Sequence, residues 1–210
     1  MTTTLLGLHG FSLNGPLFRE LLVELMPELP AGLILLCPDA PHACSVEATA
    51  RVFAVTGGRE TAPPHRCFWD ATDDGREYRG WPESLHALRA VAAGAPRLGL
   101  FGFSQGAIAA AALCALAARG EFPEIAFAVL VAGRVPRSDL LASLFGSPLR
   151  VPSMHVWGER DAFAAAHSPV LADCFEPDQR QLVRWSGGHR VPTRGPAADA
   201  VAAFIAQHAA

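Results

Sequence analysis

Lysine is absent from this chain of 210 residues: all seventeen basic side chains are arginine, scattered among twenty carboxylates, and the formal net charge is -3. No block of positive charge is left to follow a phosphate backbone, which excludes the usual electrostatic footprint of nucleic-acid binding. The C-x-x-C spacing is absent too. Cys37, Cys44, Cys67, Cys114 and Cys174 form an odd, widely separated set, read as small buried hydrophobes in a reducing, cytoplasmic compartment rather than as disulfides or metal ligands. Long apolar runs are also lacking: the longest, Ala107 to Ala118, is bounded by Arg119 and falls well short of the roughly 20 residues that span a bilayer. The stretch from Met1 to Gly10 has no basic n-region, so neither a secretory signal nor an anchor is expected there. No internal repeat or low-complexity tract occurs.

What is present is apolar residue, half of the chain, enough for one sizeable core and hence for a single domain over 1–210. Short apolar runs alternate with helix-like segments, the pattern of a mainly parallel sheet with helices on both faces. The expected strands are Thr4–Leu8, Leu33–Cys37, Leu98–Phe103, Ala126–Val131, Ser153–Trp157 and Gln181–Trp185. A first helix is signalled by Pro16 in its first turn, by Leu17, Phe18, Leu21, Leu22 and Leu25 on one face, and by Pro27 as its stop. Others are expected after Pro82, from Ser104 to Gly120, and from near Pro196 with Val201, Phe204 and Ile205 turned inward.

Between Pro41 and Trp81 some forty residues separate a strand from the next helix, far beyond the usual two to six of such loops. Phe53, Phe68, Trp69, Tyr78 and Trp81 are too many large rings for a solvated linker. This excursion is expected to wall a pocket, with Phe68, Trp69, Tyr78 and Trp81 as its substrate-facing rings; the alternative is that the rings only anchor a long loop to the core.

Gly102-Phe103-Ser104-Gln105-Gly106 matches G-x-S-x-G, in which a strand turns sharply into a helix and presents the serine oxygen at the tip. Fewer than ~0.1 such strings are expected by chance at this composition and length. The context strengthens the match, since an apolar run leads into it and an alanine-rich helical run follows. A serine hydroxyl is a weak nucleophile until a base takes its proton, and the base needs a third group to hold its tautomer. In such sheets the order is serine, acid, histidine. Asp161 in "HVWGERDAF" and His189 in "WSGGHRVP" each follow a strand, at the edge where open α/β sheets place their ligands. Asp161 is preferred to Glu159 because it has cleared the strand and its Gly158 turn, with Asp173 as the fallback; His155 lies inside a strand and is expected to be packed.

Attack on an acyl carbon leaves an oxyanion that needs fixed N–H donors. The expected donors are the backbone N–H groups of Gln105, at the helix start, and of Phe11, in the loop "LHGFS" where Gly10 permits a turn. That loop also reads as a plain strand exit with His9 tied in by hydrogen bonds, and both readings can hold at once.

Together, "LHGFSLNG" at 8–15, "CPDAPH" at 37–42, "EYRGWPESL" at 77–85, "GFSQGA" at 102–107, "HVWGERD" at 155–161 and "GGHRVPT" at 187–193 resemble the FSH serine hydrolases, a compact branch of the α/β-hydrolases. The resemblance implies an esterase or thioesterase with Ser104 as nucleophile, Asp161 as acid and His189 as base. Some proteins of that family release acyl chains from biosynthetic carrier proteins, and others cleave simple alkyl esters. Only about 20 residues lie between the strands ending near Val131 and starting near Ser153, too few for the helical cap of larger lipases. The expected activity is hydrolysis of a small acyl ester or thioester, free or carrier-bound, with no metal or organic cofactor. Exposed apolar helix faces leave room for a dimer. The alternatives are a carboxylesterase or acyl-protein thioesterase with a similar "GFSQG" turn, and a non-catalytic binding protein on the same fold.

Overall fold

The computed structural model describes residues 2–56 and 63–209. Six strands form one parallel sheet: β1 (Thr3–Leu8), β2 (Leu33–Leu36), β3 (Leu98–Phe103), β4 (Ile125–Val131), β5 (Ser153–Gly158) and β6 (Arg180–Trp185), in the order β6-β5-β4-β3-β1-β2. All six expected strands are present, with ends shifted by a residue or so. Central strands read as unbroken apolar runs because both of their faces are covered: every residue of β1, β3 and β5 is buried, whereas edge strand β2 alternates buried and exposed.

The helices are α1 (Gly15–Leu25), α2 (Val46–Thr56), α3 (Trp81–Ala92), α4 (Gln105–Ala117), α5 (Asp139–Ala142), α6 (Ser168–Ala172) and α7 (Pro196–Ala209). Asn14 caps α1 by accepting the Leu17 N–H at 3.0 Å, with Pro16 in the first turn as its fixed φ favours. Phe18 and Leu22 of α1 share a core with Val201, Phe204 and Ile205 of α7 and with Leu5, Phe101 and Phe127 on one face of the sheet. On the other face, Leu6, Leu100 and Leu130 pack with α4 and with Trp81 and Leu88 of α3. Residues 105 to 116 of α4 are all buried. A helix enclosed on every side carries no polar face, and its alanines let it lie close against the sheet.

The 41–81 excursion, expected to wall a pocket, carries secondary structure that its sequence did not announce. It contains α2, whose N-terminus is capped by Ser45 Oγ accepting the Ala48 N–H at 3.1 Å. It also contains two small antiparallel ribbons, His42–Ala43 with Arg66–Cys67 and Asp70–Ala71 with Tyr78–Arg79. Thr49 of α2 shares a 2.8 Å hydrogen bond with Ser12 in the loop after β1, so the excursion is tied to the sheet edge.

The chain enters the sheet at β1, steps outward to β2, then returns to the far side of β1 at β3. Where the direction reverses, the loops after β1 and β3 diverge and leave a crevice, the usual ligand position of open α/β sheets. Ser104 lies at the end of β3 and Phe11 just beyond β1.

Candidate active site

Ser104 sits at φ 53°, ψ -115°, a region that costs a non-glycine residue on the order of 1–3 kcal/mol and persists only where its surroundings enforce it. They do so through hydrogen bonds and close packing. The Ser104 N–H donates to Val131 O at 2.9 Å, and its carbonyl accepts from Ala107 and Ile108 as α4 begins. Gly106 allows α4 to approach β1: a Cβ there would fall 1.9 Å from the Leu8 carbonyl oxygen. At Gly102 a Cβ would come within 2.4 Å of Gly106 O. The two glycines flanking the serine are thus a steric condition for a strand and a helix to meet this tightly.

His189 reaches the serine from the loop after β6. Its Nε2 lies 2.9 Å from Ser104 Oγ and its Nδ1 2.8 Å from Asp161 Oδ2. Because a carboxylate only accepts, Nδ1 carries the proton and donates to Asp161, leaving Nε2 to accept from the serine hydroxyl. The ring is held between Phe103 and Phe163, at centroid distances of 5.1 and 5.2 Å. Asp161 is only 1% exposed. Its Oδ1 accepts the N–H groups of Phe163 and Ala164 at 3.0 and 2.9 Å. Burial alone would raise its pKa, but the His189 N–H, the imidazole's charge and those two backbone donors outweigh it, holding the carboxyl below its ordinary value.

The competing residues lie elsewhere. Glu159 is exposed, and Asp173 pairs with Arg180 at 2.9 Å. His155, buried within β5, has its pKa pushed down to about 3 by burial and by the Arg180 charge. His9 is buried and fixed at both nitrogens: Nδ1 donates to Gly10 O at 2.8 Å and Nε2 accepts the Ala40 N–H at 3.0 Å. That pins the turn from which Phe11 projects into the crevice. Among the described residues, the backbone N–H groups of Phe11 and Gln105 have no acceptor within the chain, so both remain able to hold a developing oxyanion.

A cavity of about 380 Å³ opens beside Ser104 and His189, with Phe11, Trp69, Tyr78 and Ile108 among its walls. Of the four rings expected to face a substrate, Trp69 and Tyr78 line this cavity. Trp69 and Tyr78 stack at 4.4 Å and 9°. The expectation for Phe68 and Trp81 is corrected: neither lines the cavity. Phe68 packs on the His9 ring at 5.2 Å, and Trp81, at the start of α3, meets Trp69 edge-on at 5.6 Å. Both face the core and brace the wall from behind.

The Gln105 side chain ties the Phe68–Trp69 stretch of the wall to the serine turn. Its Oε1 accepts the Phe68 N–H at 2.8 Å and its Nε2 donates to Trp69 O at 2.9 Å, while Ser84 donates its hydroxyl to Phe68 O. Sequence reading assigned Gln105 only its backbone N–H. Its signal was a lone polar side chain at the head of an otherwise apolar helix. Cavity-lining Ala48 and Val52 of α2, Phe163, Arg134 and Arg137 were not anticipated either. Among the described residues, no group of histidines, cysteines and carboxylates could hold a metal ion, and no helix is long and apolar enough to cross a membrane.

The profile of the family described as Serine hydrolase (FSH1) matches residues 1–201. The chain is similar to Esterase OVCA2 of Homo sapiens, 32% identical over 97% of this chain and 96% of that protein, and to a probable esterase of Aspergillus terreus, 32% identical over 95% and 86%. Among solved structures it resembles acyl-protein thioesterase 2 of Zea mays, with a TM-score of 0.70 at 21% identity, covering 100% of this chain and 94% of that one. A carboxylesterase of Mesorhizobium loti superposes with a TM-score of 0.66 at 16% identity, covering 97% and 88%.

Proposed function

The chain belongs to the serine hydrolase (FSH1) family, and from that premise we propose that it cleaves carboxylic ester or thioester bonds through an acyl-enzyme formed on Ser104. The observation that carries this reading is the unbroken relay Asp161–His189–Ser104, with links of 2.8 and 2.9 Å. Ser104 Oγ attacks the acyl carbon as its proton passes to His189 Nε2, and the ionised Asp161 stabilises the imidazolium that forms. The carbonyl oxygen, now an oxyanion, accepts from the N–H groups of Phe11 and Gln105, the latter aided by the positive end of α4. Collapse expels the alcohol or thiol, which takes the proton from His189. Water then attacks the acyl-serine with His189 as base, releasing the acid and restoring the serine.

Ester-named relatives and a thioesterase fold neighbour support both leaving groups, so the test runs them side by side. A fluorophosphonate probe is expected to add one equivalent to the protein, located on the peptide containing Ser104. p-Nitrophenyl esters and acyl thioesters of increasing chain length should both be scanned for turnover. Intact-mass analysis that finds no adduct on folded protein would overturn the reading.

The cavity wall makes a second expectation. Trp69 is held by Gln105 and stacked on Tyr78, so Trp69→Ala should enlarge the acyl site and move the preferred chain length upward by two carbons or more. An unchanged profile in the same ester series would leave Trp69 with a packing role only.

A further inference from the structure

The cationic wall of the cavity has no part in the chemistry above. The loop after β4 turns sharply at Ala132, a non-glycine residue at φ 53°. Three hydrogen bonds fix the loop: Ala132 N–H to Val156 O at 2.8 Å, Ser168 Oγ to Gly133 O at 2.8 Å, and Arg137 N–H to Tyr78 Oη at 2.8 Å. It therefore spans from the sheet edge to the aromatic wall and brings Arg134 and Arg137 into the same cavity as Ser104 and His189. The Arg137 guanidinium lies across Gly75, where a Cβ would fall 2.1 Å from its Cζ.

Arg134 is half-buried, and its Nε is buried without a hydrogen-bond partner. Among the described residues, no carboxylate lies within ion-pairing distance of either guanidinium. Asp70, Asp73 and Arg51 also line the cavity, all three at its exposed rim. Burial and the neighbouring Arg137 charge both weaken the hold of Arg134 on its proton. Two like charges lie on one hydrogen-bonded loop, Arg134 half-buried without an ion-pair partner and Arg137 exposed with the Asp74 charge near it, and an anionic ligand between them would relieve their repulsion.

We propose that Arg134, with Arg137 beside it, forms an anion subsite in the acyl-transfer cavity, and that the preferred substrate carries a carboxylate or phosphate group bound there while Ser104 attacks its ester or thioester carbon. This rests on Ser104 being the nucleophile. A guanidinium presents a fork of donors that matches the paired oxygens of either group.

Two matched pairs test it. In the first, the p-nitrophenyl ester of adipic acid, with a free terminal carboxylate, is compared with that of monomethyl adipate, which is neutral. In the second, acetyl-coenzyme A, with phosphates on the leaving group, is compared with neutral acetyl-N-acetylcysteamine. At least one anionic substrate is expected to exceed its neutral partner about tenfold or more in kcat/KM, the scale of a charge-assisted hydrogen bond, with most of the difference in KM. A preference in the first pair places the charge on the acyl side, and one in the second places it on the leaving side. Arg134→Gln should bring the ratio to about one and Arg134→Lys should keep part of it. Arg79→Gln, at an exposed residue beside Glu77 outside the cavity walls, should leave the ratio unchanged.

Ratios near one in both wild-type pairs, with the neutral substrates turned over, would overturn the anion subsite and leave the hydrolase reading intact; so would a preference that survives Arg134→Gln. No turnover of any substrate, together with no fluorophosphonate adduct, would overturn the role of Ser104 and this inference with it. The wild-type ratios alone decide the matter if the Arg134 variants fail to fold.

Discussion

Asp161→Asn is expected to lower kcat about 10⁴-fold while leaving the fold in place. The amide oxygen of asparagine can still accept the N–H groups of Phe163 and Ala164, as Asp161 Oδ1 does, so the acid loop keeps its shape. Its amide nitrogen, however, would point a donor at His189 Nδ1, where Asp161 Oδ2 now accepts at 2.8 Å. The imidazole can satisfy that donor only by moving its proton to Nε2, which then donates to Ser104 Oγ instead of accepting from it. The variant thus combines intact packing with the wrong tautomer, and the imidazolium of the transition state loses its counter-charge. Ser104→Ala should cost at least as much. Because relay members act as one unit, the double variant Ser104→Ala/Asp161→Asn should be no slower than Ser104→Ala alone. Steady-state kinetics on a p-nitrophenyl ester, with circular dichroism to verify folding, checks the series. Glu159→Gln is the counter-test: Glu159 is exposed, and a large loss there, with Asp161→Asn near wild type, would move the acid to Glu159.

What the sequence could reveal differs by the kind of physics involved. The six strands were legible because central strands of a parallel sheet are buried on both sides and so are written as uninterrupted apolar runs. The serine turn was legible because its steric demand falls on two glycines at fixed offsets, and Gly102 and Gly106 do meet backbone where a Cβ would be. The positions of Asp161 and His189 could be read from topology, since both follow strands and strand ends converge on one edge of the sheet. Helix α2 was hidden: its threonines and valines are weak helix formers, and the Ser45 cap is a single residue in a proline- and cysteine-rich stretch. Ring content shows that an excursion is buried, but not which side of the wall each ring takes. Phe68 fell on the inner side with its backbone fixed by Gln105 and Ser84, and Trp81 because it opens α3 on that helix's buried face. Arginines are still less legible, because most are solvated. Only the turn at Ala132 and the bonds holding its loop direct Arg134 inward.

Gly106→Ala should be the most damaging single methyl addition among these glycines. The new Cβ would lie 1.9 Å from Leu8 O, 2.4 Å from Leu8 C and 2.6 Å from His9 O. All three are backbone atoms, so no side chain can swing aside. Relief requires either α4 to rise off the sheet or the end of β1 to shift. β1 is held on both sides, by β2 and β3, and α4 is enclosed along its length, so neither movement is free. Overpacking in a rigid core typically costs about 1–3 kcal/mol and occasionally more; a clash met only by backbone atoms belongs at or above the top of that range. The same movement would displace the His9 turn and with it the Phe11 N–H, and an error of about 1 Å in a positioned group can cost on the order of 10²-fold in rate. Gly146→Ala is the contrast: nothing lies within 4 Å of its added Cβ, and its φ of -74° suits alanine, so that change should be neutral or slightly stabilising. Denaturant unfolding and kcat measured on the folded fraction of both variants separate the two cases. A Gly106→Ala protein with the wild-type midpoint and wild-type turnover would mean that the junction between β1 and α4 is looser than its contacts, and that the backbone at Leu8 and His9 can move without disturbing the chemistry.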